Sequence, residues 1–239
     1  MPNWCDNFVE ITGNISKLKK DISAIEGESN FFSSLVGNGY VIFEGHDHVK
    51  NIPLYQVIGK VNGYAGEWTE NREDAEREMK ELYDKHWYET NCEYWGTKWD
   101  ISVEEAVNDI RDNEVNLSFS SAWSPPINFC ILLSGKYGVD ICITYSEGGC
   151  NFAGKITIIN GEIVDEEDYT YIEGLYHLSN EQFWYEMEYR IEQAIDEEQT
   201  ADEFIADFPF LEETCKGIAI KMYQEEQETR NKIITNLKN

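Results

Sequence analysis

VNLSFSSAWSPPINFCILLSGKYGVDICITY, residues 115–145, is the stretch that decides the fold. Val115, Leu117 and Phe119 alternate with Asn116 and Ser118, the period-2 pattern of a half-buried strand over 115–123. Ser124-Pro125-Pro126 then opens a helix over 126–136, with serine as its cap and a proline in the first turn. Gly135 or Gly138 ends it, and Ile141-Cys142-Ile143-Thr144-Tyr145 gives a strand over 140–146. The unit is β-α-β.

Upstream, Phe8-Val9-Glu10-Ile11 reads as a strand over 8–12. A helix over 15–26 follows, with Leu18, Ile22 and Ile25 on one face. Trp99-Asp100-Ile101-Ser102-Val103 reads as a strand over 99–103, and Glu104 to Ile110 as a helical turn. The resulting order β-α-β-β-α-β predicts a ferredoxin-like antiparallel sheet. Downstream, a strand at 152–159 turns at Asn160-Gly161, a strong hairpin signal, into Glu162-Ile163-Val164. Residues 28–66 hold six glycines among short apolar runs such as Tyr40–Phe43 and Tyr55–Ile58, and read as an insertion of loops and short elements. Asn71 to Tyr88 predicts a helix, because Ala75, Met79, Leu82, Tyr83, His86 and Trp87 share one face. Helices are expected at 179–198, 201–206 and from 211 to about 234, the first with Phe183, Trp184, Met187, Ile191 and Ile195 inward. The fold class is α+β. A ferredoxin-like domain over 1–164 carries an insertion at about 28–95, and an acidic helical region, 165–239, is expected to pack on it.

The chain carries 46 acidic against 19 basic residues, a net charge of −27. Sixteen of the acids fall in residues 162–207, against the single base Arg190. Residues 209–239 hold five acids and five bases. Such a block repels nucleic acid and anionic membranes and attracts basic surfaces. Aromatics at 13% are too many for a disordered acidic tail. No apolar run reaches the ~20 residues of a membrane span. Six scattered cysteines without a CxxC point to reduced thiols and a cytoplasmic protein.

Catalytic signatures are absent. There is no phosphate-binding loop, dinucleotide fingerprint, GxSxG or deaminase pattern. His46-Asp47-His48 offers two imidazoles but no third ligand, so no metal and no cofactor are expected.

Four ordered motifs carry a resemblance. They are Met1-Pro2-Asn3-Trp4-Cys5, Trp95-Gly96-Thr97-Lys98-Trp99-Asp100, Ala122-Trp123-Ser124-Pro125-Pro126, and Glu147-Gly148 with Phe152-Ala153-Gly154. Together they resemble the YubB-like proteins of phages and conjugative plasmids, a family of unknown function whose known part is ferredoxin-like. The resemblance spans roughly residues 1–160 and leaves the acidic region outside. It implies a mobile-element origin and an accessory role, and brings no catalytic residue.

Two candidate surfaces follow. On the helix at 179–198, Glu181, Glu186, Glu188, Glu192, Asp196 and Glu197, interleaved with Tyr185 and Tyr189, form a candidate dock for a basic host protein, standing in for nucleic-acid charge. The expected function is therefore a non-enzymatic accessory protein that counters a host defence system by stoichiometric binding in the host cytoplasm. The alternative is a sponge for a nucleotide-type signal, bound in a pocket of Trp95, Lys98, Trp99, Asp100, Trp123 and Glu147. A structural account competes with it, in which the indoles plug the sheet ends and Lys98 pairs with Asp100 or Glu147. An enzyme of unknown reaction is the third reading.

Overall fold

The computed structural model describes residues 3–237. The chain divides into two compact units. The first runs through Cys150 and takes up Gly154–Glu167; the second comprises Asn151–Ala153 and the chain from Asp168.

The first unit is built on β1 (Trp4–Gly13), whose residues alternate strictly between exposed and buried until its last turn. Helix α1 (Ser16–Ala24) follows, burying Leu18 and Ile22. The insertion comprises α2 (Phe31–Val36), the hairpin strands β2 (Tyr40–Asp47) and β3 (Ile52–Gly59), and α3 (Arg72–Tyr94). The short apolar runs of the insertion are thus the two strands of one hairpin, and Met79, Leu82 and Tyr83 of α3 pack against its Tyr40 and Val57. The chain returns through α4 (Val103–Ala106), β4 (Val107–Ile110), β5 (Glu114–Ala122), α5 (Ile127–Tyr137) and β6 (Val139–Glu147), then β7 (Phe152–Ile159) and β8 (Glu162–Tyr169).

The sheet order is β4-β5-β1-β6-β7-β8. Strand β1 lies antiparallel to β5, from Trp4↔Ala122 to Thr12↔Glu114, and antiparallel to β6, from Asp6↔Ser146 to Gly13↔Val139. The four strands β4-β5-β1-β6, with α1 and α5 as crossovers, are the ferredoxin-like domain, and β7 and β8 extend it. Val9, Ile11, Leu117, Ile141 and Ile143 are buried on one face, with Leu18, Phe31, Phe32, Phe129 and Leu133 from the helices also in the core. Each such side chain contributes about 1.5–3 kcal/mol of burial.

One expected strand is misplaced. Residues 99–102 are irregular, and the second ferredoxin strand is Val107–Ile110, where a helical turn was expected. The cause is a capping box: Ser102 accepts from the Glu105 backbone while the Glu105 carboxylate reaches back to Ser102. That box starts the single turn α4 and delays the strand by eight residues. Helix α2 and helix α6 (Tyr171–Leu178) had no counterpart in the sequence reading.

The second unit is helical: α6, α7 (Asn180–Asp196), α8 (Ala201–Ala206) and α9 (Glu213–Leu237). Phe183, Met187, Ile191 and Ala194 of α7 are buried with Ile172, Leu175, Phe204, Phe208, Ala219 and Tyr223. Asp207 and Pro209 follow α8, which opens on a second capping box between Thr200 and Glu203.

Candidate functional sites

Because α7 buries positions 183, 187, 191 and 194, its outward line is fixed by helical spacing. Glu181, Tyr185, Glu188, Glu192 and Asp196 succeed one another at intervals of three or four residues, all exposed. Tyr185 and Tyr189 are 78% and 56% exposed, high values for rings that have apolar faces to cover. Glu188 and Glu192, one turn apart, repel each other; among the described residues neither carboxylate has a basic partner, although the Glu192 carbonyl accepts from Arg230 at 3.4 Å. At ~1.5 Å per residue the helix carries roughly one carboxylate per 5 Å, against one phosphate per ~3.4 Å of a DNA strand.

Glu186 and Glu197 leave this line, and Asp196, at its end, is taken up by a base. Glu186 is half-buried and bonded to Arg190 at 2.9 Å. Asp196 pairs with Arg230 of α9, which also holds Glu226 at 2.8 Å. Glu197 lies with Arg190, Glu173, Asp207 and Phe208 in a separate cleft of about 590 Å³.

Glu188 and Glu192 also line a groove of about 290 Å³ between α7 and α9. Ile191 and Met222 are its apolar residues, and Glu225, Glu226 and Thr229 complete it. Lys221 reaches Glu225 at 3.7 Å from an exposed position, so it screens that carboxylate weakly. Sequence reasoning missed Glu225 and Glu226 because they sit in the charge-balanced 209–239 segment. Only the packing of α9 beside α7 joins them to the acidic block.

In the first unit, the six residues proposed as a ligand pocket do not converge. Trp95 is fully buried; its indole N–H donates to the Gly37 carbonyl at 2.9 Å and its ring meets Phe32 edge-on at 5.8 Å. Asp100 is a helix cap. Its carboxylate accepts from the backbone N–H groups of Phe32 at 2.6 Å, Ser33 at 2.9 Å and Ile101 at 2.9 Å. Burial pushes the Asp100 carboxyl above its ordinary value, against the pull of those donors. Lys98 pairs with neither Asp100 nor Glu147. Its ammonium lies 4.4 Å from the Trp99 ring centroid, 5.4 Å from that of Tyr88 and 6.0 Å from that of Trp87.

Glu147 closes the β6–β7 turn by accepting from Gly149 N at 2.6 Å and Cys150 N at 2.5 Å. Burial raises the Glu147 carboxyl, but the Cys150 and Gly149 backbone donors, aided by the Cys150 and Asn3 side chains, hold it below the usual range. A folded-state value below the unfolded one means that stability is present above the unfolded value and is lost as pH falls through the folded one. Glu147→Gln is therefore expected to destabilise the protein by about 1–3 kcal/mol at neutral pH, because an amide N–H₂ would face a backbone N–H. Urea titrations should also show a flatter acid limb in the variant than in the parent. A variant with the parental midpoint and acid limb would remove Glu147 from the turn's support.

Trp123 is 53% exposed at φ 75°, and its backbone N–H donates to the Asn3 carbonyl at 3.0 Å. Thr97 donates to the Ala122 carbonyl and Ser124 to that of Gly96. Gly96 has φ +89°, and an added Cβ would stand 3.3 Å from Ile127 N and from the Pro125 carbonyl. The motif segments at 95–100 and 122–126 thus lace to each other through side-chain hydroxyls that donate to backbone carbonyls, and not through the Lys98 ion pair expected of a purely structural role.

A cleft does exist beside them. Trp4 and Trp99 stand 5.8 Å apart at 37° and line a space of about 710 Å³ with Asp100, Ile101, Glu105, Phe119, Ser120, Ser121 and Ala122. Of the predicted six, only Trp99 and Asp100 belong to it. Trp4, which the sequence reading left out of the pocket, supplies the other indole.

Cysteine nucleophiles find no support at two positions. Burial, then the charges of Asp6 and Glu147, push the Cys5 thiol up to about 12, and burial alone pushes Cys130 up to about 12. Among the described residues no group of three His, Cys, Asp or Glu could hold a metal ion. None of the helices so described is long and apolar enough to cross a membrane.

Fold and motif order together define a ferredoxin-like domain. Residues 98–202 match the family model of the ferredoxin-like domain in Api92-like protein. The match therefore reaches into the acidic helices, which the motif resemblance had left outside. A stretch of 81 residues is 32% identical to the uncharacterized protein YubB of Escherichia coli (strain K12), taking in 34% of this chain. It spans about half, 54%, of that relative's length. The crystal structure of protein api92 from Yersinia pseudotuberculosis aligns at TM-score 0.42 and 12% identity, over 71% of this chain and 98% of that one.

Proposed function

We propose that this chain is a non-enzymatic binding protein, an accessory of a phage or plasmid. It counters a host defence system by engaging, molecule for molecule, a basic surface on a host protein. The observation that carries the reading is the groove between α7 and α9. There Glu188, Glu192, Glu225 and Glu226 surround Ile191 and Met222. Such a groove suits the apolar stem and charged head of a lysine or arginine side chain. The exposed Tyr185 and Tyr189 of the same helix add contact area at low entropic cost. The motif order supports the mobile-element origin.

The test is a variant with Glu188→Gln, Glu192→Gln and Glu225→Gln. Exposed acids contribute little to stability, and Gln is close to Glu in helix propensity, so the fold should stand. A partner drawn from host lysate at 0.1 M salt should be released at 1 M, where the Debye length falls from ~10 Å to ~3 Å. The variant should associate with it about tenfold or more slowly, as expected when steering charges are lost. Inhibition should titrate to one equivalent per target site. A complex indifferent to both salt and the substitutions would sink the reading, as would inactivation that proceeds at catalytic amounts.

A further inference from the structure

We propose that the Trp4–Trp99 cleft of the first unit is a binding site for an organic cation, an alkylammonium or guanidinium head group. This goes beyond the α7/α9 groove, since it concerns different residues and a different chemistry of recognition. The two indoles are 51% and 36% exposed and form one aromatic wall of the 710 Å³ cleft. Ring faces carry negative potential and attract cations, indole most strongly.

The remaining lining agrees in sign. Its ionisable members are Asp100 and Glu105, and no lysine, arginine or histidine lines the cleft. Asp100 is committed to three backbone donors, but Glu105 is exposed and uses only Oε2 for its cap, leaving Oε1 without a partner among the described residues. The Ser120 hydroxyl already donates to Asp6, so in this lining its oxygen is offered as an acceptor. The chain itself shows the preference of these rings: Lys98 is held against Trp99, Tyr88 and Trp87 with no carboxylate partner among the described residues. A nucleotide phosphate would meet two carboxylates in the lining, and the nearby base, Lys98, is held on the Trp99 ring.

The experiment follows the indole N–H resonances of the full chain by NMR, assigned with Trp4→Leu and Trp99→Leu. Four probes are titrated at constant ionic strength: tetramethylammonium chloride, a short peptide blocked at both ends whose only charge is one arginine, sodium chloride and AMP. Both cations are expected to shift the Trp4 and Trp99 resonances saturably, in the millimolar range. Tighter binding of the peptide would assign the cation to a polypeptide; tighter binding of tetramethylammonium would assign it to a free metabolite-sized ion. Trp4→Leu should weaken either by about fivefold, as one half-exposed ring is lost. Glu105→Gln, which keeps the capping box, should weaken it by about threefold. The proposal is overturned if AMP binds these resonances more tightly than the cations. It also fails if the cation shifts stay linear like those of sodium chloride, or if both variants bind as the parent does. None of these outcomes depends on the α7/α9 groove.

Discussion

Trp95→Ala is expected to destabilise the protein by about 3–5 kcal/mol, the cost of emptying a fully buried aromatic site that the surroundings refill only in part. The ring contacts Phe32, its N–H is the partner of the Gly37 carbonyl, and its own carbonyl accepts from Phe129 at the start of α5. The substitution therefore also leaves a half-buried acceptor, the Gly37 carbonyl, without its donor, joining the insertion to the sheet's helix layer less firmly. Urea denaturation followed by fluorescence should show a midpoint shift of that size with an unchanged slope. A surface-pocket role would predict lost ligand binding at parental stability, and a midpoint within error of the parent would refute the core placement.

Asp100→Ala is expected to cost about 2–3 kcal/mol, since hydrogen bonds to charged groups contribute ~1.5–3 each but water reaches part of this site. The loss falls on α2, whose own N-cap residue Asn30 makes no side-chain cap bond. Asp100→Asn should cost less, because one oxygen can still serve Phe32 and Ile101 while only the Ser33 bond is replaced by an opposed N–H. The pH dependence has the opposite sign to that of Glu147. With the folded value raised, the folded chain binds the extra proton, so this group's contribution falls as pH rises from the ordinary carboxylate value through the raised one. Both variants should lose that slope in denaturation midpoints. A steeper slope, or a change in midpoint below measurement error, would contradict the capping role.

The legible part of the fold was the part whose signals are local. Residues 115–145 alternate, cap and terminate on their own, and β5, α5 and β6 form within a residue or two of the expected bounds. Helix α2 was illegible because its cap comes from Asp100, on a segment joined to it only by the fold. The strand at 99–103 was misread because alternation outweighed the Ser102–Glu105 box. For the candidate sites, the outward line of α7 was readable from 3.6-residue periodicity, whereas Glu225 and Glu226 became part of it only through helix packing. The Trp motifs looked like one pocket because they cluster in sequence order. Their side chains instead separate into a core ring at Trp95, a turn anchor at Glu147, and the exposed indoles of Trp4, Trp99 and Trp123.

The central position of β1 has a consequence for synthesis. It is made before either strand it pairs with, and the bond from the Asn7 side chain to the Phe119 carbonyl spans 112 residues. At ribosomal rates of 5–20 residues per second, roughly ten seconds pass before β5 emerges, and β6 follows later still. Throughout that time both hydrogen-bonding edges of β1 are open, with Val9 and Ile11 uncovered. The insertion hairpin and α3 can form meanwhile, because their contacts are local. Local contacts thus favour early formation of the insert, while β1 stays without its two strand partners until β5 and β6 are made.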